Sequence, residues 1–230
     1  MYAVGGLPPF GSFSGPYTDM VLQIGTLERS VDNIPTLVNF DVRGFDTLGE
    51  EFIFFTSVTG VLFLFSSVKS KVKEHPEPME SERHRAQTGA IRWFPIGLTA
   101  FIAALGMDLG AHGQLTPGGG FQGGAIFGGA MACIYLAAGL ETFVKTAHKE
   151  TFDMLDALGA FSFAALGVAA LFIAGSFLQN IMPLGQTGAT VSGGTIYFLS
   201  CAVFVEIACG FTILMLAFLK QTRHTEEDEG

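Results

Sequence analysis

The sequence predicts an all-α membrane protein with about five transmembrane helices and an extracytoplasmic N-terminal segment. Three observations predict it. Charged residues make up only 14% of the 230 residues, whereas a soluble domain carries roughly a quarter, and the mean hydropathy is +0.46. Five apolar stretches approach the roughly 20 residues that a spanning helix needs. Ten of the twelve lysines and arginines then fall on one side of a five-span arrangement, which the positive-inside rule makes the cytoplasmic side.

Residues 1–45 are mixed, rich in Pro and Gly at the start, and contain no span. The opening MYAVGGLPPF has neither a charged n-region nor a long apolar core, so no secretory signal is expected. The first span runs from about Glu51 to Val68 and is the shortest. A charged linker follows over residues 69–87, with Lys69, Lys71, Lys73, Arg83 and Arg85. The second span runs from about Ile91 to Leu109, with Pro95 in its first turns. The third covers about Phe121 to Val144, the fourth Leu155 to Leu178, and the fifth Thr195 to Leu219. Lys145 and Lys149 follow the third span, and Lys220 and Arg223 follow the fifth. Arg29 and Arg43 alone lie opposite. The two outer turns, Gly110–Gly120 and Gln179–Gly194, contain no lysine or arginine. Glu226, Glu227, Asp228 and Glu229 form an acidic tail expected to be solvated and disordered.

Composition also excludes several functions. Cys133, Cys201 and Cys209 lie inside apolar runs with no C-x-x-C pair, so neither an iron–sulfur cluster nor a zinc site is expected. Only His112 of the five histidines lies at the edge of a span, which disfavours a haem held by two imidazoles. No nucleophile–base pair or metal-ligand set appears. An accessory membrane subunit without its own catalytic centre, cofactor or metal is therefore expected, with no nucleic-acid partner.

Glu206 is the first candidate for chemistry. It is twelfth in the fifth span, in CAVFVEIACGF. A carboxylate at that depth costs about 3 kcal/mol on insertion scales, so it should face protein or water. Ala202, Cys209 and Gly210, three or four positions away, share its face and permit close packing. Glu206 reads as a proton-relay or cation-site carboxylate, or as a hydrogen-bonded carboxyl that joins two helices. Glu50 and Glu51 stand at the mouth of the first span and Asp46 a turn earlier; they read as ion-path groups or as caps favoured by the helix dipole. Asp108 and His112, one turn apart, could share a proton or form an interfacial pair in water. Glu141, Asp153 and Asp156 read as solvated boundary residues. In PGGGFQGGAIFGG, Gly120, Gly124 and Gly128 repeat at four-residue spacing on one helical face, which lets a second backbone approach. No Lys-Ser/Thr follows, so this is not a phosphate loop.

Two motifs together carry a family resemblance. LTPGGGFQGGAIFG, Leu115 to Gly128, resembles the signature of the MnhB family, one of the subunit families of Mrp-type multisubunit Na+/H+ antiporters. That family also supplies subunits to membrane-bound hydrogenases and related complexes akin to respiratory complex I. VNFDVRGFDTLGE, Val38 to Glu50, resembles the conserved end of the antiporter's large A subunit, which in the hydrogenases is a small separate subunit. In the family that segment follows another transmembrane helix, and none is read before Gly5-Gly6-Leu7-Pro8-Pro9. The resemblance implies a fusion of two neighbouring small subunits. Residues 1–68 would be the A-type segment, 88–220 the MnhB-like four-helix domain, and 221–230 the acidic tail. It further implies a place in the prokaryotic cell membrane beside other membrane subunits, with the C-terminus cytoplasmic. The host complex would exchange Na+ and H+ or couple ion movement to redox chemistry. A purely structural role in a hydrogenase-like or complex-I-like assembly is the alternative reading.

Overall fold

The computed structural model describes residues 15–69 and 89–229, so most of the charged linker and the first fourteen residues lie outside the described residues. Helices account for every regular element among them. Two short helices come first. α1 (Pro16–Gln23) continues into a π-helical turn over Ile24–Glu28, and α2 (Ile34–Leu37) continues into another over Val38–Val42. Five long helices follow: α3 (Gly44–Lys69), α4 (Gly89–Ala111), α5 (Gly120–Thr146), α6 (Lys149–Ala174) and α7 (Thr195–Glu229). All five are long and apolar enough to cross a membrane.

The boundaries shift in ways that matter. α3 begins at Gly44, a full two turns before the expected start at Glu51, because Phe45, Leu48 and Phe52 extend its apolar surface past the acidic residues. α6 begins at Lys149 instead of Leu155, its first turns held by the Lys149–Asp153 ion pair. α7 does not end at Leu219. It runs on through the expected disordered tail to Glu229, since Lys, Gln, Arg and Glu are good helix formers and extend an already nucleated helix.

α7 is the central helix and packs against α3, α4, α5 and α6. Gly120, Gly124 and Gly128 of α5 face it directly. A Cβ on Gly124 would lie 2.8 Å from Ile207 Cβ and 2.9 Å from the Ala208 nitrogen. A Cβ on Gly128 would lie 2.9 Å from Phe211 Cβ. The opposite face of α5 uses Gly123 in the same way against Gly106 and Gly110 of α4. One helix thus brings backbones together on two sides, the arrangement that small residues permit where lipid gives no hydrophobic drive between helices. α5 is also interrupted at Gly139, whose φ of 80° and ψ of 176° leave the helical region. Phe54 of α3 stacks against Phe211 of α7, centroids 5.4 Å apart, and Phe65 against Phe218 at 5.2 Å.

The N-terminal segment is latched to the turn between α4 and α5. Asn33 Nδ2 donates to the carbonyls of Gly113 and Thr116, at 2.7 Å each, and Thr36 Oγ1 donates to the Gly113 carbonyl at 2.7 Å. The Gln114 carbonyl accepts from the Asp32 and Asn33 backbone nitrogens. Val31, Leu37 and Phe40 complete the latch by joining Phe163, Ile196, Leu199 and Val203 in one buried cluster. Large apolar side chains remain exposed on the outer faces, among them Phe63 of α3, Phe101 of α4, and Phe161 and Phe172 of α6.

Candidate functional site

Three acidic side chains from three helices are buried at the junction of α3, α6 and α7. Glu206 is 0% exposed, Glu51 3% and Asp156 3%. The helices place them by ordinary periodicity. On α3 the buried positions Thr47, Glu51 and Val58 form one stripe. On α6 the stripe is Asp156, Gly159, Ala160, Phe163, Gly167 and Ala170. On α7 Ala202, Cys209 and Gly210 are buried around Glu206. Glycines bring the α6 and α7 backbones close together at Asp156 and Glu206. A Cβ on Gly159 would lie 2.7 Å from Glu206 Cβ and 2.8 Å from its backbone nitrogen. A Cβ on Gly210 would lie 3.0 Å from Asp156 Oδ1 and would also strike the Phe54 ring.

The Glu51, Asp156 and Glu206 carboxyls are near enough to act on one another's charge, Glu51 and Glu206 most strongly, where their three helices pack together. Glu51 Oε2, Asp156 Oδ1 and both carboxyl oxygens of Glu206 are buried without a donor. These two facts agree once protonation is considered. Ionised carboxylates only accept, so neighbours form no bond until one carries a proton. Four basic side chains among the described residues are engaged elsewhere. Arg29, Arg43, Lys145 and Lys149 pair with Asp41, Asp46, Glu141 and Asp153, none of them in the cluster.

The other expected site residues lie elsewhere. Asp46 is exposed and accepts from Arg43 Nε at 2.7 Å. Glu50 is exposed, one residue from the buried Glu51. Asp108 and His112 do meet, with His112 Nδ1 2.8 Å from Asp108 Oδ1, and His112 Nε2 reaches towards Thr190 Oγ1. They sit at the far end of α4, apart from the cluster. The expectation that Asp156 is a solvated boundary residue is wrong. With α6 starting at Lys149, Asp156 lies two turns inside the helix and one turn deeper than Asp153, on the stripe that faces α7. That stripe was the signal for it: Asp156 stands three, four and seven residues before Gly159, Ala160 and Phe163.

Residues 91–213, just over half the chain, match the family described as a domain related to the MnhB subunit of Na+/H+ antiporter. The chain belongs to this MnhB-related family. An uncharacterised protein of Methanocaldococcus jannaschii is 30% identical over 197 residues, covering 79% of this chain and 75% of that one. Among solved structures, the MnhB-related chain is similar to one from the membrane-bound sulfane sulfur reductase, an archaeal respiratory membrane complex. The TM-score is 0.73 at 26% identity, over 95% of this chain and 92% of that one. It also shares the fold of part of a chain in the Mrp complex from Dietzia sp. DQ12-45-1b, with a TM-score of 0.73 and 20% identity. That match covers 94% of this chain and 24% of the other, so this chain spans about a quarter of its length.

Proposed function

We propose that this chain is an accessory membrane subunit of an ion-translocating complex, either a multisubunit Na+/H+ antiporter of the Mrp type or a related redox complex. The observation that carries the reading is the carboxyl cluster of Glu51, Asp156 and Glu206, buried within the spans of an MnhB-related chain. The glycine contacts of α5 and α7 favour the structural alternative. A purely structural polar contact, however, should have its hydrogen bonds satisfied, whereas four oxygens of this cluster lack donors. We read residues 1–68 as the fused A-type segment. The likeness to the sulfane sulfur reductase chain supports this, because it extends over 95% of the present one.

Purifying the tagged chain from its native membrane in mild detergent tests the proposal. Large antiporter-like or redox membrane subunits should co-purify in fixed proportion, and recovery of the chain alone would contradict it.

The basic residues support one orientation. Lys69, Lys145, Lys149 and Lys220 fall at one end of the bundle in a five-span path, and Arg29 and Arg43 near the other. We place the first end in the cytoplasm, with the C-terminus, and residues 1–43 outside. Ser70→Cys should react with an impermeant thiol reagent only from the cytoplasmic side, and Gln186→Cys only from the outside. Reaction of both from one side would overturn this topology.

A further inference from the structure

The three buried carboxyls are spaced through the depth of the bundle. Glu51 is the eighth residue of α3, counting from Gly44, and Asp156 the eighth of α6, counting from Lys149. Taken as the first and fourth crossings of a five-span path, these helices would start at opposite membrane faces. Seven residues of helix rise about 10 Å, so Glu51 and Asp156 each lie about a third of the way in from opposite faces of a core about 30 Å thick. Glu206, twelfth in its span, lies between them and within reach of Glu51. Among the described residues, no three acidic, histidine or cysteine side chains converge as the ligands of a metal ion would. The carboxyls instead follow one another, with a close pair and a third group beside it.

We propose that Glu51 and Glu206 hold one proton between their facing carboxyls, and that Asp156 is the group through which it leaves and returns. This rests on the ion-translocating reading and adds to it that the cargo handled by this chain is H+. Three unpartnered oxygens of the pair and a fourth on Asp156, at residues 97% or more buried, are the observation that carries it. Among the described residues, three other titratable groups lie near the cluster. Glu50 adjoins Glu51 in sequence but is exposed, Asp153 is paired with Lys149, and Cys209 of α7 lies near Asp156. In the transfer, a protonated Glu206 carboxyl donates to the Glu51 carboxylate or to Asp156. The donor becomes the anion and the acceptor the acid, so one proton and one negative charge exchange places.

Infrared spectroscopy on the purified complex tests this without measuring transport. The wild type should show a protonated-carboxyl C=O band that shifts in D2O and keeps its intensity when choline chloride is replaced by NaCl at fixed pH. Difference spectra against Glu51→Gln and against Glu206→Gln should each show loss of that one band. The amide then donates the hydrogen and leaves the other carboxylate ionised. Asp156→Asn should keep the band but slow its D2O shift by tenfold or more. Absence of the band in wild type, its removal by NaCl, or its persistence in either glutamine variant would overturn the shared proton. An unchanged exchange rate in Asp156→Asn would overturn the role of Asp156. Where one glutamine variant fails to assemble, loss or persistence of the band in the other decides the shared proton. A complex that shows the band, yet transports normally with Glu206→Gln, would refute the functional reading alone.

Discussion

Glu206→Gln is expected to reduce ion flux through the reconstituted complex on the order of tenfold or more, the scale on which loss of a proton-transferring group is felt, while subunit content stays normal. The amide nearly preserves the shape of the carboxyl, and Gly159 lies against this residue closely enough for shape to matter. It also offers a donor to Glu51 Oε2, which otherwise lacks one, so packing should hold or improve. What glutamine cannot do is release and regain a proton. Flux in proteoliposomes, normalised to the amounts of all subunits, is the measurement. Full flux would remove Glu206 from the path, and flux lost together with the neighbouring subunits would make it a packing residue.

Gly124→Leu is expected to abolish or severely reduce assembly. The first added carbon would lie 2.9 Å from the Phe204 carbonyl oxygen and the Ala208 nitrogen, both backbone atoms that no rotamer change can move. Overpacking in a core that can yield costs about 1–3 kcal/mol, and here α5 and α7 must separate along their whole contact. The same shift would loosen α4, which packs on the opposite face of α5 through Gly106 and Gly110. Yield of the intact complex from solubilised membranes measures the effect. Gly129→Leu is the control, because its added carbon would meet nothing within 4 Å. Equal yields from the two variants would show that the α5–α7 contact does not govern assembly.

The fold was largely legible because a membrane leaves few choices. Long apolar runs must be helices that satisfy their own backbone, and the glycine spacing of α5 marked a face of close approach. Glu206 was legible for a related reason, since a lone charge in the middle of an apolar run has to face protein or water. Its partners were not. Glu51 and Asp156 lie among other charged residues at the ends of their spans, and hydropathy assigns such stretches to the boundary. Burial there depends on where the helix begins. Moving the start of α3 to Gly44 and of α6 to Lys149 carries both carboxyls two turns into the bundle. Glu50 and Glu51 differ by one helical step of about 100°, enough to turn one outward and the other onto α7. The latch at Asn33 was hidden as well, because it binds carbonyls of a turn some eighty residues away.

The claim that these carboxyls act together in ion movement is tested most directly by a double-variant cycle on flux. Glu51→Gln, Glu206→Gln and the pair would be compared in complexes of equal subunit content. Groups that work as one unit give effects far from additive. The account predicts that each single variant loses most of the flux and that the double variant loses little more. Losses that multiply would show two independent sites, and near-normal flux in all three would contradict a role for the cluster in ion movement.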